Sequence, residues 1–216
     1  MRYKHIIFDF DGVLVESNSI RFEGFRRLFN KFSENNIEQF LKYVILNGGL
    51  SRYEKIGYFF EKIRHEVISP DNVLILAERY SGIVKQKVIS AAPVRGAEEF
   101  LNSHFGKCDF AVVSGSDQAE LREICRERGI DSFFVDILGS PAGKGENIAD
   151  LLSRAGWDKR DCVFVGDSIN DLDAARVIGI AFIARDSGTT DWRLVKDVHF
   201  IGDLSELESC LNSLDK

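Results

Sequence analysis

The chain has 216 residues, of which 44% are hydrophobic and 29% are charged, with a formal net charge of −6. This length and composition predict a globular protein with one core, or with one core and an inserted domain, and exclude a disordered chain. The acidic balance argues against nucleic acid or an anionic membrane as the main partner.

No apolar stretch of a secretion signal opens the chain, and the longest apolar run, about 177–184, is far too short to span a bilayer. The 4 cysteines are widely spaced and form no Cys-x-x-Cys pair, so they predict neither a zinc site nor a disulfide framework. We therefore expect a cytoplasmic protein without a membrane partner.

Apolar runs alternate with helical patterns along most of the chain. The predicted strands are 5–9, 109–114, 133–138, 162–166, 180–184 and 198–201. Several are unbroken apolar runs, which are typical of parallel strands buried on both faces. Helices at 118–128, 145–155 and 171–178 are each followed by a glycine suited to a helix C-terminus. The alternation predicts a doubly wound α/β sheet, which binds ligands at the carboxyl ends of its strands.

Residues 15–88 interrupt this alternation with four amphipathic patterns. Apolar residues recur there at helical spacing, in stripes that begin at Phe25, Ile37, Ile56 and Val73. Each stripe, taken alone, indicates ordinary core packing. Four helices inserted directly after the first strand predict a separate helical cap at 15–88, on a core formed by 1–14 and 89–216.

Two carboxylates, Asp9 and Asp11, follow the first predicted strand, with Gly12 after them. Side chains two apart on a strand point the same way, so these acids repel each other unless a cation lies between them. The pattern fits half of a reaction centre for a metal and a phosphate. Taken alone, it also fits a calcium loop or a chance turn.

Two later segments add candidate phosphate-binding groups. Ser114, Gly115 and Ser116 end the second core strand, where a hydroxyl and free N–H groups can hold an anion at the next helix. The same residues fit ordinary turn chemistry, and Asp117 could be a helix N-cap. Lys144 lies between two glycines before a helix, a position that also suits a solvated lysine.

The fourth core strand ends in the strongest pattern, Gly-Asp167-Ser-Ile-Asn-Asp171. Asp171 alone could be a helix N-cap, whereas Asp167 stands directly at the strand end. With Asp9 and Asp11 it completes a set of hard oxygen ligands without His or Cys, which suits Mg²⁺ better than a transition metal.

These patterns, in this order and spread over essentially the whole chain, resemble the haloacid dehalogenase-like superfamily. The matching motifs are Asp9-x-Asp11, Ser114, Lys144 and Gly-Asp167-x-x-x-Asp171. The helical cap after the first strand resembles the group of phosphoglycolate phosphatases and β-phosphoglucomutase. The resemblance implies a Rossmann-like core and an enzyme that acts on phosphate esters.

The resemblance also implies a role for each core residue. Asp9 would attack phosphorus and become an aspartyl-phosphate, while Asp11 would protonate the leaving oxygen and later accept a proton from water. Ser114 would bind a phosphoryl oxygen, and Lys144 would neutralise the developing charge. An acid at the position of Asp11 favours phosphate esters over carbon–halogen bonds, because an alkoxide leaving group needs a proton.

The metal implied by the family is Mg²⁺. Its ligands would be the Asp9 carboxylate, the main-chain carbonyl of Asp11 and Asp167, with Asp171 binding directly or through water. The phosphate would be repelled by this many carboxylates without the metal and Lys144.

The chain departs from the group at three positions. Lys144 is followed by glycine where Lys-Pro is common, and Glu16 stands at the hinge where Asp is more usual. Arg21 aligns with a cap histidine of β-phosphoglucomutase, which argues against mutase activity.

Cap residues should select the substrate. The expected contacts are Arg21, Gly49, Arg52 and Lys55 on the cap, with Gly115 and Ser116 on the core. Arg52 and Lys55 also fit a solvated helix face.

The sequence thus predicts a Mg²⁺-dependent phosphatase for a small sugar phosphate or phosphorylated acid. A phosphotransferase or phosphomutase is the nearest alternative. A phospho-aspartate signalling module or a binding protein is a further one, although receiver domains are shorter and lack a cap. The sequence motifs identify neither the individual substrate nor the oligomeric state.

Overall fold

A six-stranded parallel sheet forms the centre of the structure, a computed structural model that describes residues 2–214. The strands are β1 His5–Phe8, β2 Asp109–Asp117, β3 Phe134–Ser140, β4 Cys162–Gly166, β5 Ala181–Arg185 and β6 His199–Ile201. They lie in the order β3-β2-β1-β4-β5-β6, and every neighbouring pair is parallel. The chain reverses its direction of winding between β1 and β4, which is where ligands bind in such sheets.

Four helices follow β1 before the chain returns to the sheet. They are α1 Asn18–Leu28, α2 Glu34–Leu46, α3 Arg52–Tyr58 and α4 Pro70–Ile89. The helices that flank the sheet are α5 Ala97–His104, α6 Gln118–Glu127, α7 Lys144–Ala155, α8 Ile169–Ile178 and α9 Leu207–Ser213. None of the helices in the described part of the chain is both long and apolar enough to cross a membrane.

The register of the central strands aligns the predicted motifs. Ile6, Ile7 and Phe8 have no exposed surface, because helices cover both faces of the sheet. Phe8 pairs with Val112 on β2 and with Val165 on β4. The residues that follow these three positions therefore emerge side by side at one edge of the sheet.

Strand β2 is longer than the sequence predicts. It runs to Asp117, which pairs with Ser140 after an irregularity that begins at Val113. Ser114–Ser116 therefore belongs to an irregular last stretch of β2, and not to a turn beyond it. Asp117 is the N-cap of α6, as the sequence allowed, and accepts a hydrogen bond from the N–H of Glu120.

Aromatic side chains form the core of the inserted helices. Phe29 stacks on Phe59 with 3.9 Å between ring centroids and meets Phe60 edge-on at 6.1 Å. Two adjacent residues reach the same ring because α3 continues as a π-helical turn, Phe59–Arg64, where the sequence predicted an ordinary helix. The predicted aromatic stripes thus pack together, as core residues do.

Two paired connections join the inserted helices to the sheet. Val15 and Pro93 form an antiparallel bridge, and the N–H of Glu16 donates to the carbonyl of Ala92 at 3.0 Å. The four helices span residues 18–89, close to the cap predicted at 15–88. Residues 1, 215 and 216 of the predicted core lie outside the described part.

Arg128 lies just after α6 and stabilises the second connection, in which the chain returns from α4 to the sheet. Its Nη1 lies 3.0, 2.7 and 2.8 Å from the carbonyl oxygens of Val88, Ile89 and Ala91. The side chain thus satisfies main-chain acceptors where α4 ends and the chain turns back to the sheet.

Replacing Arg128 with alanine should lower the free energy of unfolding by about 2–3 kcal/mol, since three carbonyls lose a charged donor. Chemical denaturation measures this change. The control is Arg126→Ala on the same helix, where the arginine is exposed and the effect should stay within about 0.5 kcal/mol. Equal effects of the two substitutions would contradict the assigned role.

Candidate active site

A cavity lies between the carboxyl ends of the strands and the inserted helices. Its core side includes Asp9, Asp11, Ser114, Ser116, Lys144 and Asp167. Its cap side includes Arg21, Arg52 and Lys55. Of the other predicted site residues, Gly115 also lines the cavity, whereas Gly49 and Asp171 lie outside its wall.

Three buried carboxylates lie close together at this cavity, and two of them line it. Asp9, Asp167 and Asp171 each offer an oxygen, and these atoms lie within 4.8 Å of one another. Burial raises the pKa of Asp9 and of Asp167, and the neighbouring carboxylates raise both further. Lys144 is the cation among them, with its Nζ 2.9 Å from Asp9 and in contact with Asp171. One lysine does not balance three acids, so the cluster suits a divalent cation held by oxygen ligands.

Asp171 has no free carboxylate oxygen. One oxygen contacts Lys144, and the other accepts hydrogen bonds from the N–H of Asp167 at 3.2 Å and from the N–H and hydroxyl of Ser168. Helix α8 begins at Ile169, so Asp171 is its third residue and completes a capping box with Ser168. The N-cap alternative for Asp171 is wrong; the side chain positions Lys144 and closes the loop after β4.

Asp167 is held from the opposite side. Asn18 Nδ2 donates to its Oδ2 at 2.7 Å. Gly12 passes so close that a Cβ there would lie 2.2 Å from the same oxygen, and its φ of +74° also favours glycine. Sequence reasoning missed Asn18, because an asparagine at the first position of a helix has an ordinary structural explanation.

The Asp11 carboxylate is surrounded by donors. Its Oδ1 accepts from Ser17 Oγ at 2.5 Å and Arg21 Nε at 2.9 Å, and its Oδ2 accepts from Ser116 Oγ at 2.8 Å. Burial raises the pKa of Asp11, but Arg21 and the two hydroxyls outweigh it and lower the pKa below its usual value. Ser17 is the N-cap of α1, yet its side chain makes no capping bond to that helix.

Glu120 is a site residue that sequence reasoning missed. Both Nη atoms of Arg52 donate to it, at 2.9 and 2.6 Å, and Arg21 Nη1 donates at 3.1 Å. Burial raises its pKa, but the arginines lower it to about 2. A glutamate three residues after the N-cap Asp117 fits a capping acid, so the sequence carries no signal for these contacts.

The remaining predicted contacts lie along the seam between cap and core. Lys55 Nζ donates to the carbonyl of Gly48 at 2.9 Å; burial and then Lys144 lower its pKa to about 7. Gly115 lies against the cap main chain, where a Cβ would come 2.4 Å from the carbonyl oxygen of Gly49. Ser114, almost fully buried, accepts the N–H of Ser116 on its Oγ at 3.2 Å.

A family model for haloacid dehalogenase-like hydrolases matches residues 6–185 of this chain. The chain belongs to the haloacid dehalogenase-like hydrolase family. The resemblance stated from the sequence is therefore confirmed, and so is the expectation of an enzyme, here a member of a hydrolase family.

Relatives and a solved structure extend this result. A 5′-nucleotidase of Pseudomonas aeruginosa is 25% identical over 235 residues, covering 99% of this chain and 97% of that protein. A phosphoglycolate phosphatase of Synechococcus elongatus is 27% identical over 82 residues, covering 37% of this chain and 39% of that protein. The structure of CbbY from Rhodobacter sphaeroides in complex with phosphate is similar with a TM-score of 0.78 and 18% identity, covering 97% and 99% of the two chains. The predicted fold class is confirmed.

Alanine in place of Gly115 should disturb the seam between cap and core. The added Cβ would displace the Gly49 carbonyl, so the cap would shift relative to Asp9. We expect kcat/KM to fall by roughly tenfold or more, because such small displacements are costly at a reaction centre. Steady-state assays and a thermal melt measure the effect.

Gly57→Ala is the control. Gly57 lies in α3, and a Cβ there has no neighbour within 4 Å, so kcat/KM should not change. A Gly115→Ala enzyme with unchanged kcat/KM would show that the close approach is not needed.

Proposed function

We propose that the protein is a Mg²⁺-dependent phosphatase, which hydrolyses a small phosphorylated metabolite through an aspartyl-phosphate on Asp9. The observation that carries the proposal is the setting of Asp9. It is a buried carboxylate after the central strand, 2.9 Å from Lys144 and within 4.8 Å of Asp167. A nucleophile between a fixed cation and a metal-binding acid can approach an anionic phosphate. The relatives named as a phosphatase and a nucleotidase support the same chemistry.

The oxygen ligands available at the site support the choice of Mg²⁺ as the metal. Asp9 and Asp167 would hold the ion together with the main-chain carbonyl of Asp11, and Asp171 would contribute through water since both of its oxygens are engaged. When bound, the ion would shield the phosphoryl charge from these carboxylates.

The protein groups divide the first step among them. Asp9 attacks phosphorus, a bond to its carboxylate oxygen forms, and the ester oxygen leaves. Ser114 donates to a phosphoryl oxygen. Lys144 offsets the charge of both Asp9 and the phosphoryl group, and Asp171 keeps it in position.

Asp11 carries the proton in both steps. It protonates the leaving oxygen and then takes a proton from the water that attacks the aspartyl-phosphate. Arg21 and Ser17 hold it in the ionised form, which suits the second step. The first step needs a higher pKa, which the negative charge of the bound phosphoryl group would provide.

The phosphotransferase alternative differs only in the acceptor, a sugar hydroxyl in place of water, and product analysis distinguishes the two. The expected cytoplasmic setting is part of the proposal. All 4 cysteines are free thiols, a form that a reducing compartment maintains.

Hydrolysis of a generic aryl phosphate tests the proposal. Activity with Mg²⁺ should vanish with EDTA, and Asp9→Asn should lower kcat by about a thousandfold or more, because it removes the nucleophile. Rapid acid quenching and peptide mass spectrometry should find a phosphoryl group on Asp9.

The matched control is Asp173→Asn, an exposed acid on α8, which should retain full activity. Activity that survives either EDTA or Asp9→Asn would contradict the mechanism.

A further inference from the structure

One carboxylate from the core pairs with both of the cap arginines that line the cavity. Glu120 lies on α6, and it accepts two hydrogen bonds from Arg52 and one from Arg21. These three residues are at most 8% exposed. The pairs therefore form a buried ionic contact that crosses from cap to core, over the cavity that holds Asp9.

The two arginine charges are balanced before any substrate binds. Arg21 also donates from Nε to Asp11 at 2.9 Å, so two guanidinium groups face two carboxylates. An anionic group of a substrate that binds beside these arginines would have to break one of the ion pairs. Otherwise it would be buried near the carboxylates of Glu120 and Asp11 with no cation to pair with. The arginines, expected from the sequence to contact the substrate, are thus already neutralised.

The guanidinium group of Arg21 still has one free hydrogen-bond donor. Arg21 Nη2 is buried and has no hydrogen-bond partner among the described residues. A buried N–H needs an acceptor, and an uncharged hydroxyl or carbonyl oxygen supplies one without adding charge. Arg21 lines the cavity, so a substrate oxygen is the available kind of acceptor.

Lys55 is the third cap cation that lines the cavity. Its Nζ is bonded to the Gly48 carbonyl, and no ion pair within the described residues includes it. Burial and Lys144 lower its pKa to about 7, so above that pH it is largely a neutral amine. In that form it also suits a hydroxyl better than an anion.

We propose that the leaving group of the substrate is an uncharged, hydroxyl-bearing alcohol such as a polyol, sugar or nucleoside. In this assignment Glu120 is the specificity residue that rejects leaving groups with a carboxylate or a second phosphate. The inference rests on the phosphatase activity proposed above and selects among its substrates. Rejection by a fixed like charge is a common device of specific sites.

Two esters with the same carbon skeleton test this assignment. Glycerol 3-phosphate ends in a hydroxymethyl group where 3-phosphoglycerate has a carboxylate. The wild-type kcat/KM at about pH 8, where Lys55 is largely neutral, should be at least about tenfold higher for glycerol 3-phosphate. A nucleoside monophosphate and phosphoglycolate extend the comparison, and an aryl phosphate serves as the reference.

Glu120→Gln should change this preference. Removing the negative charge leaves one positive charge uncompensated between Arg21 and Arg52, which is a site for an anion. The ratio of kcat/KM for 3-phosphoglycerate to that for glycerol 3-phosphate should rise by about tenfold or more. The control is Glu123→Gln, one turn along α6, where the glutamate pairs with Lys85 at the surface and the ratio should stay unchanged.

The outcomes are distinguishable. A wild-type preference for 3-phosphoglycerate, or a folded Glu120→Gln enzyme with an unchanged ratio, overturns the assignment while the phosphatase activity stands. Absence of phosphate release from every ester, including the aryl phosphate, overturns the proposed function and this inference together. Where Glu120→Gln does not fold, the wild-type preference alone decides.

Discussion

The site depends on the crowding of three buried carboxylates around one lysine. Asp9 and Asp167 come together because β1 and β4 are neighbours in a parallel sheet, whose strands end at the same edge. The two carboxylate oxygens of Asp171 are occupied by contacts with Lys144 and with the loop after β4. Burial and the remaining negative charge raise the pKa of Asp9 and Asp167, and this charge can be offset by a metal or by protons. The proposed metal binding, phosphate binding and nucleophilic attack all depend on how this imbalance is offset.

A chain of contacts connects the reaction centre to the cap. Asp11 is bonded to Arg21, Arg21 to Glu120, and Glu120 to Arg52. A movement of the cap that lengthens the contact between Arg21 and Asp11 would raise the pKa of Asp11. In the proposed mechanism, the proton that the leaving group needs is thereby linked to the position of the cap.

The core motifs could be predicted because local patterns fix them. Apolar runs locate β1 and β4, and parallel strands must bring Asp9 and Asp167 to one edge. The ion pairs of Glu120 with Arg21 and Arg52 could not be predicted, because they join residues 99 and 68 positions apart. The periodicity of a sequence carries no information about such distant contacts. The irregular end of β2 was missed for a similar reason, because the pairing of Asp117 with Ser140 depends on the neighbouring strand.

Calorimetric titration of Mg²⁺ into the protein, in buffers of different ionisation enthalpy, tests the charge imbalance most directly. With a raised pKa, Asp9 is protonated at about pH 6 and must lose that proton to bind a metal. Binding should therefore release up to about one proton, and the affinity should rise toward about pH 8. Asp9→Asn should weaken binding strongly and reduce the release to the smaller share that comes from Asp167. Binding without proton release, or of equal affinity in Asp9→Asn, would contradict the account.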